Sequence, residues 1–244
     1  MSIRLRKLLL IIIPIIIIAI TSFVLYYSIP QSRSFFLKPI DRFNTDCKVV
    51  ALTFDDGPSP QWTPRLLDIL KKYDVNASFF LVGEKMISHL DIAKRIQREG
   101  HFIGEHTFNH NRMIFKSSGF IKHDLEKMDN LFNSTGIGNT GYFRPPYGVK
   151  LLVLPYILKK QHKSMVTWDV EPKAQYEREF FNPKKISAYI LSNTRPGSII
   201  LLHDGWSGDP SLFLKAVEDT IIGLRKHGYS FITIEEGIKL NKKN

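Results

Sequence analysis

Cysteine occurs once in this chain of 244 residues, at Cys47. A single thiol excludes an intrachain disulfide and a zinc cluster built from several cysteines. Any metal must therefore be held by His, Asp or Glu. Acidic residues are also in short supply, with 23 Asp and Glu against 34 Lys and Arg, a formal net charge of +11. The excess is spread out, and no dense Lys/Arg run of the kind that tracks a phosphate backbone is present, so we expect no nucleic-acid partner. An anionic surface such as phospholipid or an acidic envelope polymer is the partner class this charge favours. Internal repeats and low-complexity tracts are absent, apart from one long apolar run.

That run is the first strong feature. Arg4, Arg6 and Lys7 precede Leu8 to Tyr27, twenty uncharged residues dominated by Ile and Leu. At about 1.5 Å rise per residue, such a run crosses a hydrocarbon core of roughly 30 Å. A cleaved signal peptide has an apolar region of only about 7–15 residues and a small-residue cleavage site, and "LYYSIP" offers none. We read residues 1–27 as an uncleaved single-pass membrane anchor, with the N-terminus inside and the domain outside. The positive-inside asymmetry is shallow, because Arg33, Lys38 and Arg42 follow the span. Residues 28–47 read as a linker, and 48–244 as one domain.

Within that domain, apolar β-rich runs at 48–54, 77–82, 101–105, 141–144, 164–169, 198–203 and 229–234 alternate with amphipathic patterns at 63–73, 84–100, 119–136, 182–193 and 210–228. Alternation of this kind predicts an α/β fold with parallel pairing. The domain is small for a full eight-fold barrel, leaving a reduced barrel or an open doubly wound sheet. In both, ligands collect at the C-terminal ends of strands.

Those ends carry chemistry-bearing residues. The first strand closes in Asp55-Asp56, and the third runs into "EHTFNH", with His106 and His110. The fourth ends in "FRPPYG", with Arg144 and Tyr147. The fifth gives Trp168, Asp169 and Glu171, and the sixth gives His203, Asp204 and Trp206. Histidines four apart on a helical turn would face one side and share a metal. Alone the spacing is weak, and two solvated surface histidines fit it better. With a carboxylate at a neighbouring strand end it becomes an open two-imidazole, one-carboxylate site, for which Zn²⁺ is the first expectation and Co or another transition metal an alternative. Adjacent carboxylates doing one job would raise each other's pKa, so Asp55 and Asp56 are expected to divide labour between metal ligand and general base. Arg144, stiffened by two prolines, suits a clamp on the base. His203, at the end of an apolar strand, is either a neutral core histidine or a general acid.

"TFDDGP", "HTFNH", "RPPYG" and "LLHD", in this order, resemble motifs of the polysaccharide deacetylases, carbohydrate esterase family 4, over roughly residues 48–240. The resemblance implies a distorted, incomplete (β/α) barrel of about seven parallel strands and metal-dependent removal of acetyl groups from an acetylated polysaccharide. It implies Asp55 as catalytic base, oriented by Arg144, and Asp56, His106 and His110 as metal ligands. Tyr147 would give a backbone N–H to the oxyanion, Leu202 would line the acetyl pocket, and His203 would be the acid. Trp168 and Trp206 are candidates for sugar stacking, against ordinary core packing. The chain departs from the family where many members carry an Asp-Trp pair, the Asp supporting the catalytic histidine. Here Ala174-Gln175 stands at that place, with Asp169 or Glu171 as possible substitutes. A non-catalytic glycan-binding domain and an O-acetylesterase are the rival expectations.

Overall fold

A computed structural model describes residues 3–138, 141–176, 181–204 and 209–241. Helix α1 (Ile3–Ser28) is followed by β1 (Val49–Asp55), α2 (Thr63–Lys72), β2 (Ser78–Leu81), α3 (Gly83–Ser88), α4 (Leu90–Arg98) and β3 (Phe102–Glu105). Then come α5 (Ser118–Thr135), β4 (Tyr142–Phe143), α6 (Val153–Lys160), β5 (Ser164–Met165), α7 (Pro183–Asn193), β6 (Ile199–His203), α8 (Pro210–Lys226), β7 (Ser230–Phe231) and α9 (Ile234–Asn241).

The strands form one parallel seven-stranded sheet in the order β5-β4-β3-β2-β1-β6, with β7 pairing the start of β1. β1 runs between β2 and β6, one strand in from the β6 end, and is buried along its length after Val49. Continuous burial explains its near-unbroken apolar run, since helices cover both faces of a parallel sheet. The sheet stays open: between its ends, β5 and β6, a single bridge joins Val170 to Ile200.

Local chemistry sets the helix ends. Asn182 and Asp209 accept N–H bonds at the starts of α7 and α8, each followed by a proline at the first turn. Gly136 closes α5 in the left-handed region. The helix expected over 84–100 is two helices, because His89 (φ −137°, ψ 52°) leaves helical space between α3 and α4. The strand expected over 164–169 pairs as a strand only at Ser164–Met165, and the chain beyond it bridges Ile40 and Ile200 singly.

Residues 28–47 are not a free tether. Phe43 is fully buried in a cluster with Ala51, Phe80, Trp168 and Ile199, and Ile40 bridges Val166. An aromatic ring inside the core holds that segment on the domain.

Candidate active site

β1 delivers Asp55 at its last position, paired in register with His203 of β6. Alternation along a strand would send Asp56 to the opposite face. Instead Asp56 takes a left-handed φ of 73°, and its carbonyl accepts from Lys85 Nζ at 2.7 Å. Both carboxylates consequently line one cavity of about 260 Å³. Gly57 follows because a Cβ there would lie 2.5 Å from Asp204 Oδ1.

The two aspartates keep different company. Asp55 Oδ1 accepts from Arg144 Nη1 at 2.7 Å. The same nitrogen donates to Thr53 Oγ1 at 2.8 Å, and Nη2 donates to the Thr167 carbonyl at 3.1 Å. Arg144 is fully buried, its guanidinium 4.0 Å from the Phe80 ring centroid, so its geometry is locked. Asp56 Oδ1 faces His110 Nε2 at 2.9 Å and His106 Nε2 at 3.4 Å.

The histidines meet Asp56 from a loop after β3, not from a helical turn. Thr107 and His110 hold left-handed φ values of 67° and 54°, and the loop is pinned by Asp124, which accepts from the Phe108 N–H at 3.1 Å. Burial pushes the Asp124 carboxyl up to about 6. His106 donates Nδ1–H to the Arg144 carbonyl at 2.9 Å, which leaves Nε2 as the lone-pair nitrogen turned toward Asp56. Backbone strain gathers here: Asp56, His110 and Tyr147 (φ 61°) all line the cavity.

One ligand atom each from Asp56, His106 and His110 lies within 4.8 Å of the others. Asp56 Oδ1 is buried and aligned with no hydrogen-bond donor, although two ring nitrogens approach it. Such an oxygen beside two imidazole nitrogens fits a divalent cation. Burial acts to raise the Asp56 pKa, but the two histidines outweigh it and hold the carboxyl far below its usual range.

Across the cavity, burial lowers the pKa of His203 against the pull of Asp55 and Asp56. Its Nδ1 lies 3.1 Å from Gln175 Oε1. Gln175 itself thus occupies the place of the missing family aspartate. Neither substitute does: Asp169 caps the Ile199 N–H at 2.9 Å, and Glu171 accepts from Trp168 Nε1 at 3.1 Å and Tyr176 Oη at 2.6 Å.

Tyr147 and Trp168 line the cavity, whereas Leu202 does not. Leu202 points into the core beside Leu52 and Phe54, and Leu201, on the same face of β6 as His203, lines the cavity instead. Trp206 lies outside the described residues. Gln31, Lys173 and Tyr176 also line the cavity without a clear sequence signal. Only Leu201 could have been found beforehand, by counting two back from His203.

A family model of polysaccharide deacetylases matches residues 42–170. The chain is 33% identical over 191 residues to a peptidoglycan-N-acetylglucosamine deacetylase of Bacillus cereus, covering 78% of this chain and 87% of that protein. It is 34% identical over 200 residues to the peptidoglycan-N-acetylmuramic acid deacetylase PdaA of Bacillus subtilis, covering 79% and 72%. The crystal structure of the Bc1960 peptidoglycan N-acetylglucosamine deacetylase matches with a TM-score of 0.75 at 31% identity, over 80% of this chain and 90% of that one. The chain belongs to the polysaccharide deacetylase family, carbohydrate esterase family 4, and is a carbohydrate deacetylase.

Proposed function

We propose that this protein removes N-acetyl groups from an N-acetylglucosamine-type polysaccharide of the bacterial cell envelope, peptidoglycan foremost, while anchored by α1 with its domain on the outer side. The observation that carries this reading is the Asp56–His106–His110 triangle beside an Arg144-clamped Asp55, with His203 across the same cavity. The anchor rests on Leu10–Ser28, a stretch long and apolar enough to cross a bilayer.

Asp56, His106 and His110 would hold the metal, Zn²⁺ by ligand type. When bound it supplies Lewis-acid polarisation of the acetyl carbonyl and of water. Asp55, oriented by the hydrogen bond from Arg144, accepts a proton from the attacking water. His203 uses Nε2 to protonate the departing sugar amine, because Gln175 engages Nδ1. The Tyr147 backbone N–H serves the developing oxyanion, and Leu201 and Trp168 wall the acetyl end.

Acetate release from peptidoglycan and from N-acetylglucosamine oligomers, with and without chelator, tests this directly. Activity is expected to vanish with chelation and to return with added Zn²⁺. Chelator-resistant release would overturn the metal-dependent reading, and release only from O-acetylated substrates would overturn N-deacetylation.

A further inference from the structure

A second cavity, of about 410 Å³, lies between α1 and the domain. Val24 contributes from the helix, and segments 113–117 and 151–154 contribute from the domain. Val24 stands four residues before α1 ends at Ser28, about 6 Å at 1.5 Å per residue. With α1 across a bilayer, domain loops beside Val24 would sit at the depth of the headgroup–acyl boundary, which amphipathic surfaces reach by burying about 5–10 Å.

Their side chains suit that depth. Phe115 is 89% exposed, on a left-handed backbone (φ 58°) that a bulky aromatic rarely adopts. Leu152 and Val153 are exposed beside it in the same cavity wall. A contiguous apolar patch of this kind is unusual on a surface that faces only water. Lys116, Nζ over the Phe120 ring at 4.7 Å, adds a cation for anionic headgroups.

The domain is fastened over the helix end. The Ser28 carbonyl accepts from the Lys150 N–H at 3.4 Å, and the Pro30 carbonyl accepts from Lys150 Nζ at 2.8 Å. The Gln31 carbonyl accepts from Thr167 Oγ1 at 2.9 Å. The Gln31 side chain packs where a Cβ on Gly148 would fall, and it lines the catalytic cavity. Three residues span at most about 10 Å, so part of the cavity wall lies within that distance of the end of α1.

We propose that the domain rests on the lipid leaflet in which α1 ends, with the 113–117 and 151–154 loops inserted beside Val24, so that the site takes acetylated glycan presented at the membrane surface. This rests on reading α1 as membrane-spanning. The test uses the full chain in vesicles of phosphatidylethanolamine and phosphatidylglycerol. Single nitroxide labels are placed at native Cys47, which is exposed, and, in a Cys47→Ser background, at Ile16→Cys, Phe115→Cys or Leu152→Cys. Collision rates are measured with oxygen, which concentrates in lipid, and with a water-soluble nickel chelate. Oxygen is expected to dominate at positions 16, 115 and 152, and the chelate at 47. Lipid depth at 16 with chelate access at 115 and 152 equal to that at 47 would overturn the proposal and leave the anchor standing. Chelate access at 16 would overturn both. Shielding of 115 and 152 from both reagents would report a protein contact and also overturn it. None of these readings depends on acetate release, so the deacetylase assignment stands or falls separately.

Discussion

Asp55 and Glu105 are both carboxylates at the ends of parallel strands, both almost fully buried, and both bonded to one cation. Asp55 meets Arg144 at 2.7 Å, and Glu105 meets Lys163 at 2.6 Å. They differ in what surrounds the pair. Asp55 lines a cavity beside three ligand-type side chains, whereas Glu105 lines none of the described cavities and shares Lys163 with Asp129 at 2.6 Å. A buried ion pair is therefore a structural element unless one partner also faces open space where chemistry occurs. Position at a strand end, which organised our reading of the sequence, does not separate the two.

The largest expected effects break the comparison on the Asp55 side. Asp55→Asn should lower kcat by about 10²–10⁴-fold, the usual worth of a general base, and leave metal binding intact. Asp56→Ala should abolish metal binding itself, measured by titration calorimetry with Zn²⁺. Equal behaviour of the two variants would refute the division of labour between them. The complementary change, Lys163→Met, should leave the affinity for metal unchanged and lower unfolding stability by about 3–5 kcal/mol, as for any buried pair that loses one partner. Burial drives the Glu105 pKa well above its ordinary value even with Lys163 attached, so the folded chain holds this proton to higher pH than the unfolded chain. Removing the lysine strengthens that preference, and unfolding stability in urea should fall more steeply as the pH rises above the ordinary glutamate range.

How much of this was legible beforehand differs between fold and site. Parallel α/β architecture followed from buried strands alternating with helices, and the core positions of α2, Leu66, Leu67 and Leu70, followed from helical spacing. α6 was not legible because Pro155 interrupts an apolar stripe of Leu154, Ile157 and Leu158. At the site, Asp55, Asp56, His106 and His110 were readable as residue types, but the helical turn invoked to join the histidines was not what joins them. Left-handed backbone at Thr107 and His110 does so, and periodicity does not encode it. Gln31 was unreadable because the segment carrying it looked like a tether, and its docking depends on Phe43 and Lys150 far away in sequence.

Gln175 sharpens the same distinction, because here a neutral group supports a titrating one. An amide cannot stabilise imidazolium as a carboxylate does, and burial already lowers the His203 pKa. Gln175→Glu should therefore raise it and move the alkaline limb of the kcat–pH profile to higher pH. Gln175→Ala should cost about tenfold in kcat, at the low end for an outer partner of a functional histidine. If the profile of Gln175→Glu coincides with that of the native enzyme, Gln175 is only a packing residue.

A third buried carboxylate has no cation bonded to it among the described residues. Asp204 Oδ2 accepts a short hydrogen bond from the Thr63 hydroxyl, and Oδ1 has no partner among the described residues. Burial pushes its pKa up to about 8 from an ordinary 3.8. The folded chain then holds a proton that the unfolded chain releases between about pH 4 and pH 8. The contribution of this group to stability is fully present below about pH 4 and is lost as the pH rises through about 8. Its slope is at most about 1.4 kcal/mol per pH unit. Asp204→Asn should remove that slope, so the urea midpoint of the variant should fall less than that of the native chain from about pH 5 to pH 8. An unchanged slope would mean that Asp204 is ionised in the folded protein, and that a charge without a cation can be tolerated beneath the Asp55–Asp56 turn.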